Sequence, residues 1–214
     1  QSVIMLNGVL RGQTGIIFSR PSLDEMLNAV EKYGVTLWYG VPTLYTYLVD
    51  YPRTKRIRWG KLKYCICGAD TLHEATREDW RKWTGVDIYE GYGLTETSGV
   101  TNVNPSERNK VGSLGVPLPN TYIAVVDLDT DRFLLRGEPG ELVASGPQVM
   151  KGYWNKPEQN KKSFFEAGGR VWFRTGDIVK MDEEGYFFFV ERTKDFIKYK
   201  GLSVYPKEIE DVLY

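Results

Sequence analysis

Apolar and polar positions change rhythm once along this chain, near residue 101. From Thr14 to Glu90, short apolar runs alternate with stretches at helical spacing. Thr14-Gly15-Ile16-Ile17-Phe18 predicts a strand. Ser22-Leu23-Asp24-Glu25 carries the Ser-x-x-Glu capping box and opens a helix with Leu23, Met26, Leu27 and Val30 on one face and Gly34 as its stop. Val35 to Tyr39 predicts the next strand, and Pro42 opens a helix through Leu44, Tyr45, Leu48 and Val49. Leu62 to Ile66 predicts a third strand. Thr71-Leu72-His73-Glu74 repeats the capping box ahead of a helix carrying Trp80 and Trp83, which read as packing residues. Val86 to Tyr89 closes the series. Strands separated by helices imply crossover connections and a parallel sheet, whose ligands collect at the carboxyl ends of the strands. Two stretches fall at such ends: Cys67-Gly68-Ala69-Asp70 and Glu90-Gly91-Tyr92-Gly93-Leu94-Thr95-Glu96-Thr97.

Beyond Thr101 the texture is different. The polar segment 102–111 reads as a linker. Short β runs follow at Tyr122–Val126, Phe133–Leu135, Glu141–Ala144, Val171–Phe173, Asp177–Met181 and Tyr186–Val190, several of them separated by turn signals. Periodicity alone supports several antiparallel strands here. The last stretch ends in Pro206-Lys207-Glu208-Ile209-Glu210-Asp211-Val212-Leu213, the opening of an amphipathic helix of about two turns, too short to be stable alone.

Composition narrows the classes. The chain has 214 residues, enough for one or two domains, and 28 Lys+Arg against 28 Asp+Glu, so no global field recruits nucleic acid or an anionic membrane. Mean hydropathy is -0.38. No apolar run approaches the roughly 20 residues of a spanning helix, and no signal-peptide pattern opens the chain, so the expectation is a soluble, cytoplasmic protein. Cys65 and Cys67 alternate on a strand with Tyr64 and Ile66 and are poorly placed to bond each other; buried free thiols are expected. His73, the only histidine, sits in the first turn of a helix and reads as non-catalytic.

The stretch after Tyr89 has residue types suited to a nucleotide. Gly91 and Gly93 let the backbone turn and approach a ligand, Tyr92 offers an aromatic face, Thr95 a hydroxyl for a phosphate oxygen, and Glu96 a hard carboxylate of the kind Mg²⁺ accepts beside phosphates. Such a loop is also a common plain turn. Its company decides the matter: Arg174-Thr175-Gly176-Asp177 and Arg192-Thr193-Lys194-Asp195-Phe196-Ile197-Lys198-Tyr199-Lys200-Gly201 follow in order. With them the chain, from about Thr14 onward, resembles the adenylate-forming superfamily of acyl-CoA synthetases, 4-coumarate-CoA ligases and luciferases.

The resemblance implies an α/β fold: a parallel α/β subdomain over 1–110, a small antiparallel β-barrel over 111–191, and the hinge and beginning of a C-terminal lid domain over 192–214. It implies a reaction in which a carboxylic acid, fatty or aryl, attacks ATP to give acyl-AMP and is then captured by coenzyme A, with Mg²⁺ as the metal. Tyr92 would stack on adenine, with Gly68, Ala69, Asp70, Glu90, Gly91 and Gly93 lining the nucleotide site. Thr95 would bind phosphate, Glu96 the metal, Asp177 the ribose hydroxyls and Arg192 the ribose or a phosphate. Lys194 matches the lid hinge, Lys198 the lysine presented for thioester formation, and Gly201 the glycine beside the pantetheine channel. Leu94 favours the acyl- and aryl-CoA branch, and neutral Val41, Leu44, Tyr45 and Val100 would lie near the acyl group. Gly152-Tyr153-Trp154-Asn155 matches a family run that reads as structural. The family's phosphate-holding loop would precede residue 1 and its adenylation lysine would follow Tyr214, so these residues alone are expected to be an inactive fragment. The alternative is a non-catalytic adenylate-binding module of the same fold.

Overall fold

A computed structural model describes residues 5–195, 197–199 and 202–206. The chain divides into two compact units, Gln1–Gly93 with Asn104–Gly112, and Leu94–Val103 with Ser113–Tyr214.

In the first unit a short helix α1 (Asn7–Leu10) precedes α2 (Leu23–Tyr33), β1 (Leu37–Gly40), α3 (Pro42–Asp50), β2 (Tyr64–Cys67), α4 (Glu74–Thr84) and β3 (Ile88–Leu94). The Ser22 capping box forms: the Glu25 amide donates to Ser22 Oγ at 3.2 Å and the Ser22 amide to Glu25 Oε2 at 2.8 Å. Gly34 ends α2 at φ 61°, a conformation that penalises a Cβ. β1, β2 and β3 are parallel, with Trp38 beside Cys65 and Cys65 beside Ile88. The helices cover them with a core of Leu27, Tyr45, Leu48, Trp80 and Ile88, in which Trp80 meets the rings of Tyr45 and Trp59 edge-on, each at 5.0 Å. Tyr45, expected near an acyl group, is therefore a core residue, its hydroxyl donating to the Ile66 carbonyl at 3.0 Å.

Four local expectations give way. Thr14–Phe18 is not a strand: no strand pairs with it among the described residues, and Ile17 is 82% exposed. The Thr71–Glu74 box does not form, and His73 precedes the helix without a side-chain cap. The Leu72 amide is turned instead to the Glu90 carboxylate at 3.4 Å. Gly91 and Gly93 do not turn the chain but lie extended inside β3. The segment 102–111 is no linker. Asn104 donates its amide and its Nδ2 to the Glu90 carbonyl at 3.0 and 3.2 Å, and Asn109 Nδ2 donates to the Ile88 carbonyl at 3.1 Å, so polar side chains there complete the hydrogen bonding of β3.

Cys65 and Cys67 are buried free thiols, as expected. Burial pushes both up from 9.0 to about 12. The folded state thus holds these protons more tightly than the unfolded chain, a contribution present below pH 9 and lost as pH rises toward about 12. A disulfide-exchange reagent at pH 8 should label neither thiol until denaturant is added; rapid native labelling would contradict this.

The second unit contains β4 (Gly99–Val103), β5 (Val116–Pro117), β6 (Tyr122–Val126), β7 (Pro139–Ser145), α5 (Pro157–Ser163), β8 (Phe164–Ala167), β9 (Arg170–Met181), β10 (Phe187–Arg192), β11 (Ile197–Tyr199) and β12 (Leu202–Val204). β4 pairs with β5, and β11 with β12, both antiparallel. The main sheet is a curled antiparallel one in the order β10-β9-β7-β6, with β8 on the first half of β9. The first unit carries the parallel strands and the second an antiparallel sheet, the α/β class that was expected. Phe133–Leu135 supplies only one bridge, Phe133 to Val126. Val171–Phe173 and Asp177–Met181, expected as two strands, are one. Glu141 faces Ile178 and Val143 faces Arg174, so Thr175, Gly176 and Asp177 together oppose Leu142 alone. Around Gly176, where the two expected strands were separate, β9 carries a bulge, of the kind that redirects side chains beside binding sites. The expected helix beyond Pro206 lies outside the described residues.

Candidate functional site

The bulge in β9 is held from β7. The Thr175 hydroxyl donates to the Leu142 carbonyl at 2.7 Å, and the Gly176 amide to Glu141 Oε1 at 3.0 Å. Arg174 Nη1 donates to Glu141 Oε2 at 2.8 Å, while Nη2 meets Asp131. Burial works against the Arg174 charge, but these two carboxylates more than offset it and hold the guanidinium above its ordinary value. Gly176 takes φ +76°, which an L side chain rarely adopts. The consequence is that Asp177 is only 1% exposed, with Arg192 Nε of the neighbouring strand 3.2 Å from its Oδ1.

The turn Thr95–Thr97 forms the facing wall of a hollow. Thr97 Oγ1 accepts the Leu94 amide at 2.9 Å and closes the turn. Thr95 is exposed and Glu96 half-buried. The Glu96 carbonyl accepts the Met150 amide at 2.7 Å, and its Oε1 accepts the Tyr153 hydroxyl at 2.9 Å. Partial burial and this bond to Glu96 raise the Tyr153 phenol above its usual range. Leu94, Glu96, Glu141, Tyr153, Lys162, Arg174, Thr175, Gly176 and Arg192 line the hollow, about 350 Å³ in volume. Glu96 and the Thr175-Gly176 pair therefore share one cavity inside the second unit. Two carboxylates, two guanidinium groups and an ammonium line it, with Glu141 already engaged by Arg174, an arrangement that suits a phosphorylated polar ligand.

In the first unit the residues Gly68-Ala69-Asp70 follow β2. A Cβ on Gly68 would stand 3.4 Å from the Gly91 carbonyl oxygen, so the two segments approach closely. Ala69 takes φ 81°, a left-handed conformation that costs about 1–2 kcal/mol outside glycine. Asp70 Oδ1 accepts the Thr71 amide at 2.8 Å. Gly91, Tyr92 and Gly93 are half-buried on β3. The Glu90 side chain faces the other way chemically: it is buried against Arg77 and accepts the amides of Leu72 and Gly112, each at 3.4 Å. Its carboxylate is committed to holding this unit together. His73 is exposed at the start of α4.

Of the remaining sequence candidates, Lys194 is exposed in the turn after Arg192, where the Thr193 amide donates to Gly176 at 2.9 Å and the Asp195 amide to Arg192 at 3.0 Å. Lys198 lies on β11 opposite Ser203. Gly201 lies outside the described residues. Tyr153, Glu141 and Lys162, which line the hollow, were not foreseen as site residues; the Gly152-Tyr153 motif was the only signal in the sequence. Among the described residues, no group of three or more His, Cys, Asp or Glu side chains could hold a metal ion. A cation at Glu96 would need oxygens from its ligand, as Mg²⁺ with nucleotide phosphates does.

Residues 1–154 match the family of AMP-binding enzymes. The chain belongs to that family. It is 39% identical over 197 residues to a long-chain-fatty-acid–CoA ligase of Bacillus subtilis, covering 91% of this chain and 34% of the relative. Against the ATP-bound MatB of Rhodopseudomonas palustris, the TM-score is 0.86 at 36% identity, covering 95% of this chain and 40% of the other. The O-succinylbenzoate coenzyme A synthetase MenE of Bacillus subtilis, in complex with ATP and magnesium, gives a TM-score of 0.84 at 28% identity, covering 97% and 42%. The chain thus spans about a third of the length of the curated relatives it matches. Among the described residues no helix is long and apolar enough to cross a membrane.

Proposed function

We propose that this chain is the nucleotide-holding portion of an ATP-dependent acyl-CoA ligase that activates a fatty or aryl carboxylic acid as acyl-AMP and passes it to coenzyme A. One observation carries the reading: Glu96 and the Arg174-Thr175-Gly176 stretch that leads into Asp177, about eighty positions apart in sequence, line one hollow of about 350 Å³. The bulge buries Asp177 against Arg192, a carboxylate suited to accept two ribose hydroxyls while Arg192 answers a phosphate. Tyr92 supplies the stacking face for adenine, the Gly68–Asp70 and Glu90–Gly93 segments the close backbone approach, and Thr95 a phosphate donor. Glu96 would hold Mg²⁺, which when bound neutralises phosphate charge. Lys194 serves as the hinge, Lys198 as the lysine of thioester formation, and Gly201 as the passage for pantetheine. A cytoplasmic setting fits two thiols kept reduced.

The test is carboxylate-dependent exchange of pyrophosphate into ATP by the whole protein, followed across a panel of fatty and aryl acids, with AMP release on adding coenzyme A. Exchange with at least one such acid is expected. Consumption of ATP and coenzyme A without any carboxylate, or no exchange with any acid, would sink the assignment.

A further inference from the structure

We infer that Tyr153 is a positioning residue for Glu96, tethering its carboxylate in the orientation that receives the metal. The inference rests on the reading of Glu96 as the magnesium ligand. Gly152-Tyr153-Trp154-Asn155 looks structural in the sequence, yet Trp154 is 88% exposed and Tyr153 only half-buried, so the run adds little to the core. What it does is aim one phenol. The Tyr153 amide donates to Asn160 Oδ1 at 2.7 Å and Asn160 Nδ2 donates back to the Tyr153 carbonyl at 3.0 Å, a reciprocal clamp from α5. Gly152 makes the clamp possible: its φ is +146°, and a Cβ there would meet Asn160 at 3.0 Å. With its backbone fixed, Tyr153 donates to Glu96 Oε1 at 2.9 Å, and Oε2 takes no hydrogen bond among the described residues. A glutamate left to itself has several rotamers, and ordering it on binding a cation costs affinity. A phenol bonded to one oxygen removes most of that freedom beforehand and leaves the other oxygen for the ion. The bond is also charge-assisted, among the stronger neutral-to-ion hydrogen bonds.

The experiment uses the full-length protein with Mn²⁺ in place of Mg²⁺ and a non-hydrolysable ATP analogue, reading free Mn²⁺ by electron paramagnetic resonance. Four proteins are compared: wild type, Tyr153→Phe, Glu96→Gln and the double variant. Phenylalanine keeps the ring, so folding is retained and is checked by thermal unfolding. Tyr153→Phe should weaken Mn²⁺ binding in the ternary complex about ten-fold, leave metal-free AMP affinity within about two-fold of wild type, and add nothing when combined with Glu96→Gln. Wild-type Mn²⁺ affinity in Tyr153→Phe, with Glu96→Gln impaired, overturns the positioning role and leaves the assignment of Glu96 standing. Unimpaired Glu96→Gln overturns the metal assignment itself and the inference with it. Additive effects in the double variant, or a parallel loss of metal-free AMP binding in Tyr153→Phe, also overturn it, since they describe general packing and not orientation of one carboxylate.

Discussion

Arg77→Met is expected to cost the first unit about 3–5 kcal/mol, the usual penalty for stranding one member of a buried ion pair. Arg77 and Glu90 are 4% and 8% exposed. The guanidinium does two jobs, pairing with Glu90 through Nη2 and donating Nη1 to the Ile88 carbonyl at 2.8 Å. Methionine replaces the stem but leaves a buried carboxylate without its counter-charge. Equilibrium urea unfolding followed by tryptophan emission measures the loss, since Trp80 lies in the same core. A cost under about 1 kcal/mol would mean that water reaches Glu90 and that the pair behaves as a surface bridge. The double variant Arg77→Met with Glu90→Leu separates charge from hydrogen bonding. It should recover part of the loss, because no lone charge remains, but not all of it, because the Leu72 and Gly112 amides would lose their shared acceptor at roughly 1 kcal/mol each.

The same contacts explain why some of the fold was legible in the sequence and some was not. Ser22-x-x-Glu25 and Thr71-x-x-Glu74 are the same pattern, and only the first forms its box. At Ser22 every partner lies within three residues. At Thr71 the decisive group is Glu90, eighteen residues beyond Leu72, which no local pattern reveals. Gly176 falls between the two expected strands Val171–Phe173 and Asp177–Met181, and nothing local shows that they are one. Gly176 is part of a bulge because Glu141, thirty-five residues earlier, supplies the acceptor for its amide. Gly91 and Gly93 err in the opposite direction: glycine is permissive, and here the chain stays extended. The helices α2, α3 and α4 were legible because periodicity, proline and glycine punctuation agree on them. In the site, the motifs brought Glu96 and Arg174–Asp177 to notice through resemblance, whereas the Gly152-Tyr153 run gave no sign that its phenol reaches Glu96 from fifty-seven positions away.

Asp177→Ala in the full-length protein should weaken AMP binding by about two to three orders of magnitude, measured by calorimetric titration. The magnitude follows from two hydrogen bonds to a charged acceptor at about 1.5–3 kcal/mol each, partly offset where water fills the gap. The carboxylate is well placed to deliver that much. It is buried by the β9 bulge, so its orientation is set by the chain before any ligand arrives, and Arg192 at 3.2 Å keeps its charge compensated. Asp177→Asn sharpens the test. It keeps the shape and one acceptor oxygen but gives up the charge, so it should retain the fold and fall between wild type and alanine. Wild-type affinity in both variants would mean that Asp177 only serves Arg192 and does not hold the ribose. Arg192→Ala discriminates further. Its side chain is half exposed, 52% against 1% for Asp177, so its loss should cost affinity through the phosphate and leave folding intact. Nucleoside and nucleotide should therefore respond differently: Asp177→Ala weakens adenosine and AMP alike, whereas Arg192→Ala weakens AMP and spares adenosine, because only the former carries the charge that a guanidinium can answer.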